Sequence, residues 1–203
     1  MRQGHTRAST VAAVDAGAEV DRDAIEAAVR QILVAIGEDA DRTGLVDTPA
    51  RVARMYEEIL GGENFTPTVF PNPGYDEMLV ERDIPFYSLC EHHLLPFFGV
   101  AHVGYVPADR VIGLSKIARL IRARAARLQI QERLTAEIAD GLDRLLAPVG
   151  VGVVIEAEHL CMTMRGVRSP GTVTVTSSLR GCLKEKPEAR AEFFAICRDG
   201  RKR

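Results

Sequence analysis

A cysteine and two adjacent histidines occupy the stretch Cys90-Glu91-His92-His93, in a chain with only five histidines and four cysteines. Cys90 and His93, three residues apart in a turn, can offer a thiolate and an imidazole to one ion. Cys161 supplies a second thiolate far downstream, in the stretch from Glu156 to Met164. Two thiolates and one imidazole form a soft set that suits Zn²⁺ and leaves a fourth position for water, as in catalytic rather than structural sites. A metal at such a site brings the pKa of its water from roughly 16 down to about 7. The competing reading is that Cys90 and Cys161 are small apolar fillers, a common fate of free cysteine; spacing alone leaves both open. His92 and His159 each sit beside a proposed ligand without being needed for coordination, which suits them to proton transfer. His102, in mid-strand, reads as structural, and His5 belongs to the N-terminal tail.

A second group is basic. In Gly113-Leu114-Ser115-Lys116-Ile117-Ala118-Arg119, Ser115 stands at a helix start, Lys116 in the first turn and Arg119 one turn on. Backbone N–H groups and cations placed this way can meet phosphate oxygens. Arg165 follows Cys161, and Arg51 lies at the start of another helix. Taken singly, each is as readily a solvated surface charge. Gln131 and Glu132 open a further helix, where an acidic side chain also complements the helix dipole.

The elements that must position these residues follow from periodicity. Ile25, Val29, Ile32, Leu33 and Ile36 recur at helical spacing from Asp21, and Gly37 supplies a stop. Asp47-Thr48-Pro49 predicts a second helix start, a capping side chain ahead of the proline, with Val52, Met55, Tyr56 and Ile59 on one face and Gly61-Gly62 at its end. Residues 63–77, rich in Pro, Gly and Asn, read as a long connection. Strands are predicted over Met78 to Leu89, Phe97 to Val106, Val151 to Glu158 and Thr172 to Leu179. Helices are predicted from Ser115 to about Leu128, from Gln131 to about Leu146, and near Ala189 to Cys197. The order is α+β, with a ββααββ core behind two N-terminal helices.

Composition sets the remaining bounds. The chain has 203 residues, 46% of them hydrophobic and 27% charged, with a net charge of -2. Such a balance gives no basic field to attract nucleic acid or an anionic membrane. No apolar run approaches the roughly 20 residues of a membrane span, and no secretion signal is recognisable, so the expected location is the cytoplasm. Cysteines without a secretion signal point away from a disulfide framework. The expected domains are a flexible tail over residues 1–20, a helical region over 21–77 and a catalytic domain over 78–203.

These motifs together resemble one family, GTP cyclohydrolase I. The resemblance rests on Thr48-Pro49-Ala50-Arg51, Ser88-Leu89-Cys90-Glu91-His92-His93, Gly113-Leu114-Ser115-Lys116, Gln131-Glu132-Arg133-Leu134-Thr135 and the stretch from Glu158 to Gly166. It implies a tunnelling fold whose ββααββ units join into a toroid, usually a homodecamer of two stacked pentamers with active sites between subunits. It also implies the conversion of GTP to 7,8-dihydroneopterin triphosphate and formate, the first step of folate and pterin synthesis. In that reading Cys90, His93 and Cys161 hold Zn²⁺, His92 and His159 move protons, and Gln131 and Glu132 grip the guanine edge. Arg51, Ser115, Lys116, Arg119 and Arg165 surround the triphosphate, and Ser115 also counts with His92 and His159 among the catalytic residues. Cys182, where the family more often has a bulky apolar residue, departs from the pattern but leaves the ligand set untouched. A related fold serves the nitrile reductase of deazaguanine biosynthesis, which uses a nucleophilic cysteine and no zinc; the Cys90 to His93 stretch argues against it.

Overall fold

Asp21 caps the first helix: its Oδ1 accepts from the Ala24 N–H at 3.0 Å, opening α1 (Arg22–Ala35). Gly37, at φ 89°, takes the left-handed conformation that ends the segment. These coordinates are a computed structural model, which describes residues 20–62 and 65–198. Apart from Val20, the expected tail therefore lies outside the described residues.

α1 packs on α2 (Thr48–Leu60). The chain then passes through a short strand β1 (Val69–Pro71) into the long hairpin of β2 (Leu79–Cys90) and β3 (Pro96–Val106). Next come β4 (Arg110–Ile112), α3 (Leu114–Ala125), β5 (Leu128–Gln129), α4 (Gln131–Leu146), β6 (Gly150–His159), the single turn α5 (Leu160–Thr163) and β7 (Val173–Gly181). α6 (Cys182–Glu185) and α7 (Pro187–Arg198) follow. The main sheet runs β5-β2-β3-β6-β7, and β1 pairs separately with β4. All neighbours in the main sheet are antiparallel except β5, which runs parallel to β2.

One sheet face carries α3 and α4. The stripes Ile117, Leu120, Ile121 and Leu134, Ile138, Leu142 close over Phe86, Phe97, Val103, Val153 and Ile155 in one buried core. Each such side chain contributes about 1.5 to 3 kcal/mol by leaving water. The opposite face is covered by α6 and α7 through Leu183, Phe193 and Cys197. Gly104 and Gly152 are register partners, and a Cβ on either would come within 2.8 Å of the Phe193 ring. Their missing side chains seat that ring on the sheet.

The structure amends the local expectations in four places. Asp47 does not cap α2; its side chain instead accepts from Arg51 Nη2 at 3.2 Å. The third helix stops at Ala125, because Leu128 and Gln129 are drawn into pairing with Leu89 and Cys90. The connection before β2 contains β1, whose edge is satisfied by β4. On α1 only Leu33 of the apolar stripe is buried, while Ile32 and Ile36 remain 58% and 68% exposed. His102 is buried in β3, where its Nδ1 accepts from the Asp83 N–H at 3.3 Å and its Nε2 lies 3.9 Å from Glu156. Among the described residues no helix is long and apolar enough to cross a membrane.

Candidate active site

The turn between β2 and β3 brings the first two candidate ligands together. Cys90 O accepts from the N–H groups of His93 (3.3 Å) and Leu94 (2.9 Å), and the Cys90 N–H donates to Leu95 O at 2.8 Å. Leu94 takes φ 55° to close this loop. Wound in this way, a spacing of three puts both side chains on one side of the turn.

Cys161 arrives from the end of β6, two strands away from β2 in the sheet. α5 follows directly on His159, and Thr163 Oγ1 ties it down by bonds to Glu158 Oε1 (2.9 Å) and His159 O (3.1 Å). The candidate ligand atoms of Cys90, His93 and Cys161 all lie within 4.8 Å of one another. Cys90 is buried and His93 exposed, so the group sits at the mouth of the core with one side toward solvent. Two thiols and an imidazole at this separation fit one tetrahedral ion of the zinc type.

Burial pushes the Cys161 thiol up, the neighbouring Cys90 thiol adds to this, and Arg165 opposes both. Arg165 Nη1 also lies 2.9 Å from His93 Nε2. His92 sits against the cluster, its Nδ1 3.9 Å from Cys90 Sγ.

His159 is placed by register. It pairs with Phe97 across β3 and β6, and the two rings stack at 4.7 Å. Its Nε2 lies 2.8 Å from Gln131 Oε1 at the start of α4. Burial lowers the His159 pKa, and the carboxylate of Glu132 partly opposes this. The same helical turn reaches the Cys90 to His93 segment as well, since Arg133 Nη2 donates to Glu91 Oε2.

The sequence from residue 25 to 198 matches the model of the family described as GTP cyclohydrolase I. A protein of Aquifex aeolicus called GTP cyclohydrolase 1 is 57% identical over 178 residues, 87% of this chain and 97% of the relative. Relatives of the same name occur in Caldanaerobacter subterraneus, 55% identical over 87% of this chain and 97% of the relative, and in Mycolicibacterium vanbaalenii, 54% identical over 97% of this chain and 98% of the relative.

The chain belongs to the GTP cyclohydrolase I family.

Of the residues the family resemblance singles out, the fold gathers Cys90, His93, Cys161, His92, His159, Gln131, Glu132 and Arg165 around one mouth. Ser115, Lys116 and Arg119 are not among them. They stand in the first turns of α3, whose N-terminal end is tied to Thr68 by the Gly113 N–H. Its C-terminal end is the one near the Cys90 turn, because Ser88 Oγ donates to Ala125 O at 2.7 Å. Twelve helical residues put about 17 Å between those ends. Arg51 is exposed on α2, paired with Asp47. Two contributors escaped the sequence reading. Phe97 looked like an ordinary core aromatic, and Arg133 lay unremarked beside Gln131 and Glu132. For Arg133 a signal did exist, since it stands four residues after Gln129, whose Oε1 accepts from its Nε at 2.9 Å.

Proposed function

We propose that this chain is a zinc-dependent GTP cyclohydrolase I, in which GTP and water give formate and 7,8-dihydroneopterin triphosphate. The observation that carries the reading is the Cys90, His93 and Cys161 cluster with two histidines at its rim, in a chain of this family. Cys90, His93 and Cys161 would hold the ion, which when bound supplies Lewis acidity that makes water nucleophilic at neutral pH. His159, flattened between core and rim by Phe97, and His92 would give and take the protons of ring opening and deformylation. Glu132 would accept hydrogen bonds from the N1–H and N2 amino group of guanine. Arg165, beside His93, would meet the triphosphate together with Arg51, Ser115, Lys116 and Arg119.

Bringing Ser115, Lys116 and Arg119 to the Cys90, His93 and Cys161 group would take a second chain. The basic end of α3 stands a helix length from its own metal group, which supports a site completed by a second copy. Two exposed apolar surfaces support the same assembly: Ile32 and Ile36 on α1, and the outer edge strand β7 with Val173 and Val175 52% and 59% exposed. An edge of nine residues that no strand pairs among the described residues is a template for pairing with another chain. The assembly proposed is the tunnelling-fold toroid, a decamer of two pentamers, with residues 21–77 as its helical region and 78–203 as the catalytic domain.

Formate release from GTP tests the activity, with and without a chelator. Release that persists after the metal is stripped sinks the zinc chemistry, and no release from zinc-loaded protein sinks the enzyme. Mass in solution tests the ring, and full activity in a dilute monomer would exclude shared sites.

A further inference from the structure

Gln131 is only 2% exposed, and both ends of its amide are occupied. Nε2 lies 3.1 Å from Ile155 O, 2.9 Å from Thr174 O and 3.1 Å from Thr176 Oγ1. Oε1 lies 2.8 Å from His159 Nε2. The orientation of the amide follows from its neighbours: two backbone carbonyls can only accept, so the nitrogen must face them and the oxygen must face the imidazole. Hydroxyl protons agree with this direction. Thr135 Oγ1 donates to Gln131 O at 2.6 Å. Its 2.7 Å contact with Thr176 Oγ1 must then be donated by Thr176, which leaves the Thr176 oxygen able to accept from Gln131. Each hydroxyl proton thus has one place to go, and the two amide protons of Gln131 are shared among three acceptors.

The consequence falls on His159. Facing an oxygen that can only accept, Nε2 carries a proton, and in the neutral ring Nδ1 keeps the lone pair. Phe97, parallel to within 4°, holds the ring plane.

We propose that Gln131 is a positioning residue: through this hydrogen bond it fixes His159 as the Nε2-protonated tautomer, with Nδ1 as the basic atom, and it does not grip the guanine edge. The proposal rests on the cyclohydrolase reading only for the reaction in which His159 takes part. A third group that fixes an imidazole's tautomer is a general device, and its loss costs a large part of the turnover while substrate binding persists.

The test is a double-mutant cycle in the zinc-loaded enzyme. Gln131→Met keeps the length of the side chain but not its hydrogen bonds. It should lower kcat about 10- to 100-fold, the scale for losing a group that orients a functional histidine, with KM for GTP within about twofold of wild type. In a His159→Ala background the same change should cost nothing further. A Gln131→Met variant that raises KM, and costs as much without His159 as with it, would show that Gln131 reads the base directly. A second measurement needs no variant at position 131: ¹⁵N NMR of histidine-labelled wild-type protein, with the His159 signals assigned by their loss in His159→Ala. The Nε2–H tautomer is expected, and an Nδ1–H tautomer overturns the proposal. If the wild type released no formate from GTP, the functional reading would fail, while the tautomer would still stand or fall on the spectrum.

Discussion

Phe97 and His159 stack across β3 and β6 with ring centroids 4.7 Å apart and planes 4° from parallel. Phe97 is fully buried while His159 reaches the rim. The core thus holds one face of a proposed proton carrier. Stacked aromatic pairs contribute about 0.5 to 1.5 kcal/mol beyond the area they bury. Phe97→Leu keeps an apolar filler but frees the imidazole to tilt. It should retain zinc and lower kcat about tenfold, since an ångström of misplacement at the chemistry can cost about 10²-fold. Metal analysis beside steady-state kinetics checks it, and unchanged kcat would show that the stack is packing alone.

Cys161 is the proposed ligand that comes from a separate segment, the turn α5 that follows β6. Cys161→Ala should abolish stoichiometric zinc and formate release together, because two remaining ligands cannot enforce the site. His92→Ala and His159→Ala should keep zinc and lose about 10²-fold or more in turnover. Full zinc occupancy in the Cys161 variant, or loss of zinc with either imidazole, would reassign the ligands.

The candidate residues could be picked out because their spacing is local: Cys90 and His93 share one turn, and Ser115, Lys116 and Arg119 share two turns of a helix. Strands β2, β3, β6 and β7 were legible to within a residue or two from β-branched and aromatic runs. What the sequence hid depends on partners distant along the chain. Leu128 and Gln129 look like the tail of a helix until Leu89 and Cys90 offer a strand edge. Asp47 looks like a cap until Arg51 takes its carboxylate. Gln131, at an exposed-looking helix start, is buried only because β6 and β7 pass over it and supply its acceptors. No window of sequence around position 131 contains Ile155, Thr174 or Thr176.

Gly99 on β3 tests how tightly the strands beside the site are joined. A Cβ there would lie 1.9 Å from Glu156 O and 2.8 Å from Ala157 Cα. Both are backbone atoms of the neighbouring strand, so no side chain can yield. Gly99→Ala should destabilise the fold by about 3 kcal/mol or more, the range of severe overpacking. Denaturant unfolding measures this directly, and a loss under about 1 kcal/mol would mean that the sheet gives way easily.

Cys197 sets an alkaline limit on stability. Burial pushes its thiol up to about 11, Arg82 opposing and Asp83 adding to the shift. As pH rises, the thiol of the unfolded chain ionises first, so folding competes with proton release. The stability present below about pH 8.5, the ordinary thiol value, should be lost as pH climbs through about 11. Cys197→Ala should flatten that alkaline limb in unfolding measured from pH 7 upward, whatever the variant's stability at pH 7. An alkaline limb of unchanged slope would mean that other groups set it.

Glu132 stands exposed in the first turn of α4, close enough to His159 for its charge to oppose the lowering of that histidine's pKa. With the amide of Gln131 engaged inside the protein, Glu132 is the side chain of this turn proposed to read the base. Guanine presents two donors, N1–H and the N2 amino group, where adenine presents an acceptor and no amino group. ATP would therefore leave a partly desolvated carboxylate without partners. Sites built to bond a substrate group reject analogues lacking it by about 10⁴-fold or more. The competing role is complementing the helix dipole, which contributes about 0.3 to 1 kcal/mol of stability and nothing to specificity. Glu132→Ala separates the two. It should raise KM for GTP strongly and narrow the preference for GTP over ATP while zinc content and assembly persist. If the variant binds GTP as tightly as wild type and loses only a few tenths of a kcal/mol, Glu132 serves the helix and the base is read elsewhere.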